Sequence, residues 1–317
     1  MIVDLNNCIS KPSRDGYGEA IVELGKKDIN VVALDADMSK STRSEWFMKE
    51  YPTRFFNMGI AEQDMISTAA GLALAGKVPF ASSYGVFVTG RAWDQIRTTV
   101  CYTNLNVKFA GHSGITIGPD GATHQALEDI AIMRVLPNMT VLAPCDAIEM
   151  KKATLAAYEI NGPVYIRFTR ENTPVFTENS DPFVLGKANM LMDGHDLTII
   201  GCGPILYHAL KAANTLKAEG ISARVLNMHT IKPIDVDAVV SAAKDTGAIV
   251  TIEEHQIHGG LGSAVSECVV RNCPVPMEMV AIADTFGETG NPDELIEAYN
   301  LSANSIVSAA KKILGRK

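Results

Sequence analysis

Four groups of side chains in this sequence have the types and spacing to do chemistry. Glu62 lies in Arg54-Phe55-Phe56-Asn57-Met58-Gly59-Ile60-Ala61-Glu62-Gln63-Asp64-Met65, where a short apolar run ends at Met58, Gly59 breaks it and a helix begins near Ala61. That turn places Glu62 in a first helical turn at the carboxyl end of a strand, where open α/β sheets bind ligands. Its neighbours are almost all apolar or small. They predict a dry pocket that disfavours the charged carboxylate and suits Glu62 to proton transfer. Taken alone, the stretch reads more readily as a Glu that complements a helix dipole. Tyr84 and Phe87 form an aromatic pair beside a second strand end. His112, Asp120 and His124 flank a glycine-rich loop over residues 114–124, and Arg14, Arg170 and Ser41 could hold an anion. Each group also has a structural reading: aromatics in a core, solitary histidines, and Arg170 paired only with Glu171. His112, Asp120 and His124 match no zinc signature, and no residue is assigned to a metal.

The elements that must position these groups alternate between strand and helix. Residues 11–28 predict a helix capped by Ser13 or Asp15, 29–34 a buried strand, and 46–51 a short helix stopped at Pro52. Helical spacing of Ile66, Ala69, Ala70, Leu72 and Ala73 carries the Glu62 helix to Gly76. A strand over 78–84 is expected to run on into Gly85-Val86-Phe87, ahead of a helix over 92–102. Strands follow at 107–112, 139–143 and 163–168, with helical signals resuming from Ala126 and an Asp146-capped helix over 147–160. The polar, helix-poor stretch 176–185 marks a linker, placed at 179–186. Beyond it come strands at 196–201, 222–227, 248–253 and 280–282. Helices are expected at 206–220, 235–244 and 262–272, with a helical tail over 292–314. The pattern predicts an α/β protein of two doubly wound domains: a parallel-sheet domain over 1–178 and a smaller α/β domain over 187–317. Gly201-Cys202-Gly203-Pro204 lacks the third glycine of a dinucleotide fingerprint. Glu253-Glu254-His255 and Gly259-Gly260-Leu261-Gly262 read as packing and turn chemistry.

At 317 residues, 47% hydrophobic and 20% charged, the chain has the composition of a globular protein with a substantial core. A net charge of −8 argues against a broad nucleic-acid footprint, so an anionic ligand must be held by a few local cations. The six cysteines are scattered with no Cys-x-x-Cys pair, which points to reduced thiols and a cytoplasmic location. The N-terminal Met-Ile-Val-Asp-Leu-Asn-Asn has no basic region of a secretory signal, and no apolar run is long enough to span a membrane.

As a set, these segments resemble the C-terminal part of transketolase, from about Lys11 to the end of the chain. Gly59-Ile60-Ala61-Glu62-Gln63 is similar to the family's thiamine-activating segment. Ser83-Tyr84-Gly85-Val86-Phe87 is similar to its Phe-x-x-Phe platform for the aminopyrimidine ring, with Tyr in the first place. Gly111-His112-Ser113-Gly114 and Gly118-Pro119-Asp120-Gly121-Ala122-Thr123-His124-Gln125 resemble its substrate loop. Arg167-Phe168-Thr169-Arg170 resembles its phosphate-binding segment, and Pro12-Ser13-Arg14 and Lys40-Ser41-Thr42 two further sugar-phosphate contacts.

The resemblance implies thiamine diphosphate as cofactor, with Glu62 bonding the pyrimidine ring nitrogen and Phe87, Tyr84 and Asp37 completing that site. It implies that His112 and His124 bond the donor's carbonyl and first hydroxyl and move protons. Asp120 would read the next hydroxyl, and Arg14, Ser41 and Arg170 would hold the terminal phosphate. The reaction implied is transfer of a two-carbon ketol unit from a ketose phosphate to an aldose phosphate. The family's Gly-Asp-Gly…Asn segment, which holds Mg2+ (or Ca2+) and the diphosphate, has no counterpart here. The expectation is therefore one subunit of a split transketolase, a homodimer within a heterotetramer, whose partner is a separate N-terminal subunit. Three rivals stand beside it: a transketolase-like subunit for an unusual sugar phosphate, a deoxyxylulose-phosphate synthase-like enzyme, and the beta subunit of a 2-oxo acid dehydrogenase. The longer Tyr-x-x-Phe-x-Thr-Gly-Arg segment and the Gly-His-Ser-Gly loop favour transketolase. A non-catalytic paralogue would have lost Glu62 and the loop histidines.

Overall fold

The computed structural model describes Leu5 and residues 7–317. Among these, seven strands form the first sheet, in the order Thr230–Lys232, Thr140–Leu142, Val164–Phe168, Lys108–His112, Val78–Tyr84, Val31–Asp35 and Phe55–Asn57. All pair in parallel except Thr230–Lys232, which lies antiparallel on Thr140–Leu142. A second sheet of five strands runs Met277–Ile282, Ile249–Gln256, Leu197–Gly201, Ala223–Asn227 and Asn189–Met192, only the last being antiparallel. The expected doubly wound α/β architecture is present.

The strands are short apolar runs because both faces of each sheet are covered. In Val31–Asp35 successive side chains go to opposite faces. Val31 and Ala33 meet Tyr17, Ile21, Met150 and Ala153 from the helices Ser13–Lys27 and Ala147–Glu159. Val32 and Leu34 meet Met65, Ile66 and Ala69 of the helix Glu62–Leu74, in a core that continues to Ile200, Leu226, Leu261 and Val265 of the second sheet's layer.

Local details depart from the sequence expectation in several places. The Val78 strand stops at Tyr84, and Val86–Arg91 and Ile96–Cys101 form wide helical turns around Trp93–Gln95. Gly85 makes the corner because a Cβ there would lie 2.0 Å from Ser113 Oγ and 2.6 Å from the His112 carbonyl. Neither Ser13 nor Asp15 caps the first helix. Ser13 Oγ instead accepts the Thr169 N–H at 2.7 Å, and Asp15 pairs with Arg43 at 2.7 Å. Asp146 does cap Ala147–Glu159, accepting from the Ile148 and Glu149 N–H groups. The helix expected from Ala126 begins at Asp129, and the tail divides into Pro292–Ala298 and Ala303–Leu314. Four short strands had no sequence signal: Ser10–Pro12, which pairs with Asn172–Pro174, together with Asn189–Met192 and Thr230–Lys232.

The two helices on one face of the first sheet cross at Gly16, where a Cβ would sit 2.1 Å from the Ala147 carbonyl oxygen. Gly16→Ala gains about 1 kcal/mol of helix propensity. It also forces two backbones apart, and overpacking costs about 1–3 kcal/mol. The backbone contact cannot yield as a flexible side chain would, so we expect a net loss of about 1–2 kcal/mol, read as a lower urea midpoint with unchanged slope. An unchanged or higher midpoint would show that the crossing relaxes freely.

Candidate active site

Sheet register builds the floor of the site. Tyr84 pairs with His112 and His112 with Phe168, so three rings stand in one row across neighbouring strand ends. Their centroids are 5.1 Å apart for Tyr84 and His112 and 4.6 Å for His112 and Phe168. One strand further on, the buried Asp35 organises the loop that carries Ser41. Its carboxylate accepts from Thr42 Oγ1 at 2.7 Å, Ser44 Oγ at 2.8 Å and the Met38 N–H.

Glu62 occupies the first turn of its helix and is 1% exposed. The pocket is not dry, contrary to the sequence expectation. Arg91 Nη1 donates to Glu62 Oε2 at 2.7 Å, and Ser83 Oγ lies 3.3 Å from Oε1. The same guanidinium sits over the Phe87 ring, 4.5 Å from its centroid. Sequence reasoning missed Arg91. The available signal was its place four residues after Phe87, which puts both on one face once the segment is helical.

A second cluster is centred on Tyr84, which is 4% exposed. Its ring packs against His112, His124 at 5.0 Å and Phe87 at 6.0 Å. Its hydroxyl donates to Asp120 Oδ2 at 2.9 Å and accepts from Arg170 Nη1 at 2.5 Å, while Arg170 and Asp120 pair at 2.6 Å. Arg170 also reaches Glu171 at 3.3 Å. On the far side, Arg14 Nη1 and His112 Nε2 both meet the Ser41 carbonyl, at 2.9 and 3.0 Å. Burial, reinforced by the Arg14 guanidinium, pushes the His112 imidazole down to about 3, so it is neutral. A carbonyl can only accept, so the imidazole proton is on Nε2 and the buried Nδ1, which has no partner, is a free acceptor. Arg14 Nε is likewise buried without a partner.

The glycine loop is held from beneath. Glu254 Oε2, on the second sheet, accepts from the Thr116 N–H at 3.1 Å and hydroxyl at 2.7 Å. Gly118 adopts φ +117 with its Cα against Arg170, whose Nη2 would be 2.1 Å from any Cβ there. Glu253 accepts from the Leu261 and Gly262 N–H groups at 2.7 and 2.8 Å, a helix-start role consistent with turn chemistry.

The fold thus brings together Glu62 with Phe87, and Arg14, Ser41, Tyr84, His112, Asp120, His124 and Arg170 with one another. His124 joins the two clusters, its ring edge-on to both Tyr84 and Phe87 at 5.0 and 5.2 Å. Asp37 is exposed at φ +64, where its carboxylate accepts from Asn57 Nδ2 at 3.1 Å. Within the arginine segment, Arg167 points into the core and pairs with Asp129 at 2.9 Å, so only Arg170 faces the site. Chemically, the site offers a buried carboxylate beside an aromatic face and, next to it, a pocket of hydroxyl- and anion-reading groups.

Comparison with known proteins agrees with this geometry. Residues 10–175 match the transketolase pyrimidine-binding domain and residues 186–306 the transketolase C-terminal domain. The chain is similar to a putative transketolase C-terminal section of Methanocaldococcus jannaschii, 49% identical over 310 residues, covering 96% of each protein. It is 44% identical to a 6-deoxy-6-sulfo-D-fructose transketolase subunit of a Clostridium species, over 96% of this chain and 95% of that one. Among solved structures, a split gene transketolase described as an inactive beta4 tetramer superposes with a TM-score of 0.90 at 47% identity. That superposition covers 96% of this chain and 98% of the other.

Two outcomes follow from the charges. Arg91→Ala strands the Glu62 carboxylate in its pocket. Breaking a fully buried pair costs about 3–5 kcal/mol, and the Arg91 side chain is 45% exposed, so a loss of about 1–2 kcal/mol is expected. Adding Glu62→Gln should restore most of it in a thermal melt, and a single variant that melts like wild type would show the pair to be idle. For His112, the native pKa lies below the unfolded one. Between about pH 6.5 and 3 the unfolded chain binds a proton that the fold refuses, so this contribution to stability is complete above pH 6.5 and falls on acidification. His229, pushed down to about 4 by burial, adds to the same slope. In denaturant titrations across pH 4.5–6.5, His112→Gln should lessen the slope by up to about 1.4 kcal/mol per pH unit. An identical slope in the variant would mean that His112 titrates normally in the fold.

Proposed function

The chain belongs to the transketolase family, and on that premise we propose that it is the C-terminal subunit of a two-chain transketolase. In this reading it moves a two-carbon ketol unit from a ketose phosphate to an aldose phosphate in the cytoplasm. It does so with thiamine diphosphate and a separate N-terminal subunit, two copies of each chain forming a heterotetramer. Residues 1–178 supply the pyrimidine side of the site, 179–186 link, and 187–317 form the C-terminal domain.

The observation that carries the proposal is the cradle made by Glu62 and Phe87. A planar, nitrogen-bearing group, the Arg91 guanidinium, already lies between the buried carboxylate and the aromatic face. An aminopyrimidine asks for the same two contacts, so these residues fit the pyrimidine end of the cofactor, and the half-exposed Arg91 has room to withdraw into solvent. When bound, the cofactor would supply the electron-accepting chemistry needed to cleave and form the carbon–carbon bond. Glu62 then holds the pyrimidine ring nitrogen and shares a proton with it. Phe87 covers the ring, and His124, edge-on to Phe87, is placed to move protons between cofactor and sugar. His112, with its proton engaged by Ser41, receives a sugar hydroxyl at Nδ1. Asp120 reads a hydroxyl, and Arg14, Ser41 and Arg170 face the anionic end.

The diphosphate end is a different matter. Among the described residues no three His, Cys, Asp or Glu side chains converge for a metal ion. We assign the diphosphate and its metal to the partner chain because the Gly-Asp-Gly…Asn segment has no counterpart in this sequence. Calorimetric titration of thiamine diphosphate with Mg2+ should show weak binding to the isolated chain. Binding should be tight once the chain is mixed with a chain bearing the Gly-Asp-Gly…Asn segment, with ketol transfer appearing only in the mixture. In that mixture Glu62→Gln should lower kcat by about 100-fold or more, as expected for a lost proton-transfer group. Full turnover by the isolated chain would sink the split arrangement, and near-normal turnover in the variant would remove Glu62 from the mechanism.

A further inference from the structure

Tyr84 was expected to pack on the cofactor, yet its polar atom faces the opposite way. We infer that the Tyr84 hydroxyl is a specificity-determining positioning group on the substrate side, locking the Asp120 and Arg170 side chains into one sugar-reading unit. The inference rests on the transketolase reading.

Two observations carry it. The first is the closed triangle of Tyr84 Oη, Asp120 Oδ2 and Arg170 Nη1, with edges of 2.9, 2.5 and 2.6 Å. The phenol sits between a carboxylate that must accept and a guanidinium that must donate, so its own proton goes to Asp120. Burial also pushes its pKa up, which keeps that proton in place. The second is rigidity. The Tyr84 ring is wedged among Phe87, His112 and His124, whereas the Asp120 and Arg170 side chains are 28% and 18% exposed and have nothing comparable of their own. The hydroxyl therefore transmits the fixed position of a strand end to two side chains on loops.

The test uses Tyr84→Phe, which keeps the ring and deletes only the hydroxyl, in the two-chain enzyme. For a ketose phosphate donor, KM should rise about 10-fold with kcat within about 2-fold, the size of one hydrogen bond to charged partners. Hydroxypyruvate, too short to reach the triangle, should keep its kcat/KM, and the calorimetric Kd for thiamine diphosphate should stay unchanged. Equal losses for both donors in Tyr84→Phe, together with a weaker cofactor Kd, would return Tyr84 to the cofactor platform. No change in any of these values would make the hydroxyl idle. Calorimetric binding of the ketose phosphate to each variant is measured alongside. A wild-type complex without ketol transfer would overturn the transketolase reading, and the Tyr84 hydroxyl would still be judged by whether its removal weakens sugar binding.

Discussion

The buried guanidinium of Arg167 is the joint on which the site hangs. Its Nε donates to Asp129 at 2.9 Å, and Nη2 donates to the carbonyls of Ala126 at 3.2 Å and Glu254 at 2.5 Å. Tyr165 donates to the same carboxylate oxygen at 2.6 Å. A buried ion pair contributes little net stability, because desolvation offsets attraction, but removing one member is costly. What this pair provides is location. It joins a central strand of the first sheet, the end of the glycine loop and the longest strand of the second sheet at one point. Asp120 and His124 lie on the loop that this joint and the Glu254–Thr116 bonds hold down.

Two charge arrangements then divide the site. On one side a carboxylate and a guanidinium, Glu62 and Arg91, neutralise each other against an aromatic ring. On the other, Arg170 is satisfied by its carboxylates while Arg14 is left with an idle nitrogen. Tyr84, His112 and His124 separate the two as a wall of rings in contact. The neutral His112 suits that place: a second full positive charge beside Arg14 would be repelled, and its buried Nδ1 remains a free acceptor.

Much of this was legible in the sequence where the signal is local. Alternating strands and helices, the Gly59 break before Glu62, and Asp146 as a cap each depend on residues within a few positions, and all are present. What was not legible depends on partners far along the chain. Ser13 looks like a cap but bonds Thr169, 156 positions away. The apolar neighbours of Glu62 predicted a dry pocket, and the ion that wets it arrives from a helix whose wide turns no propensity foretells. Strands of three residues, such as Thr230–Lys232, carry too little periodicity to stand out. Arg167 and Arg170, three apart, look equivalent in sequence. Only the strand's end at Phe168 decides which is buried.

The strand Thr230–Lys232 comes from the chain's second half, yet it completes the outer edge of the first sheet. Beyond it, the Ala143 N–H bonds the His229 carbonyl at 2.8 Å and Lys232 Nζ donates to the carbonyl of Arg134 at 3.0 Å. A fragment ending in the 179–186 stretch would expose Thr140–Leu142 as a bare sheet edge, a template for pairing with other chains. For gene fission or fragment complementation, this seam is therefore a poor place to cut. The two halves are stitched into one folding unit at this edge.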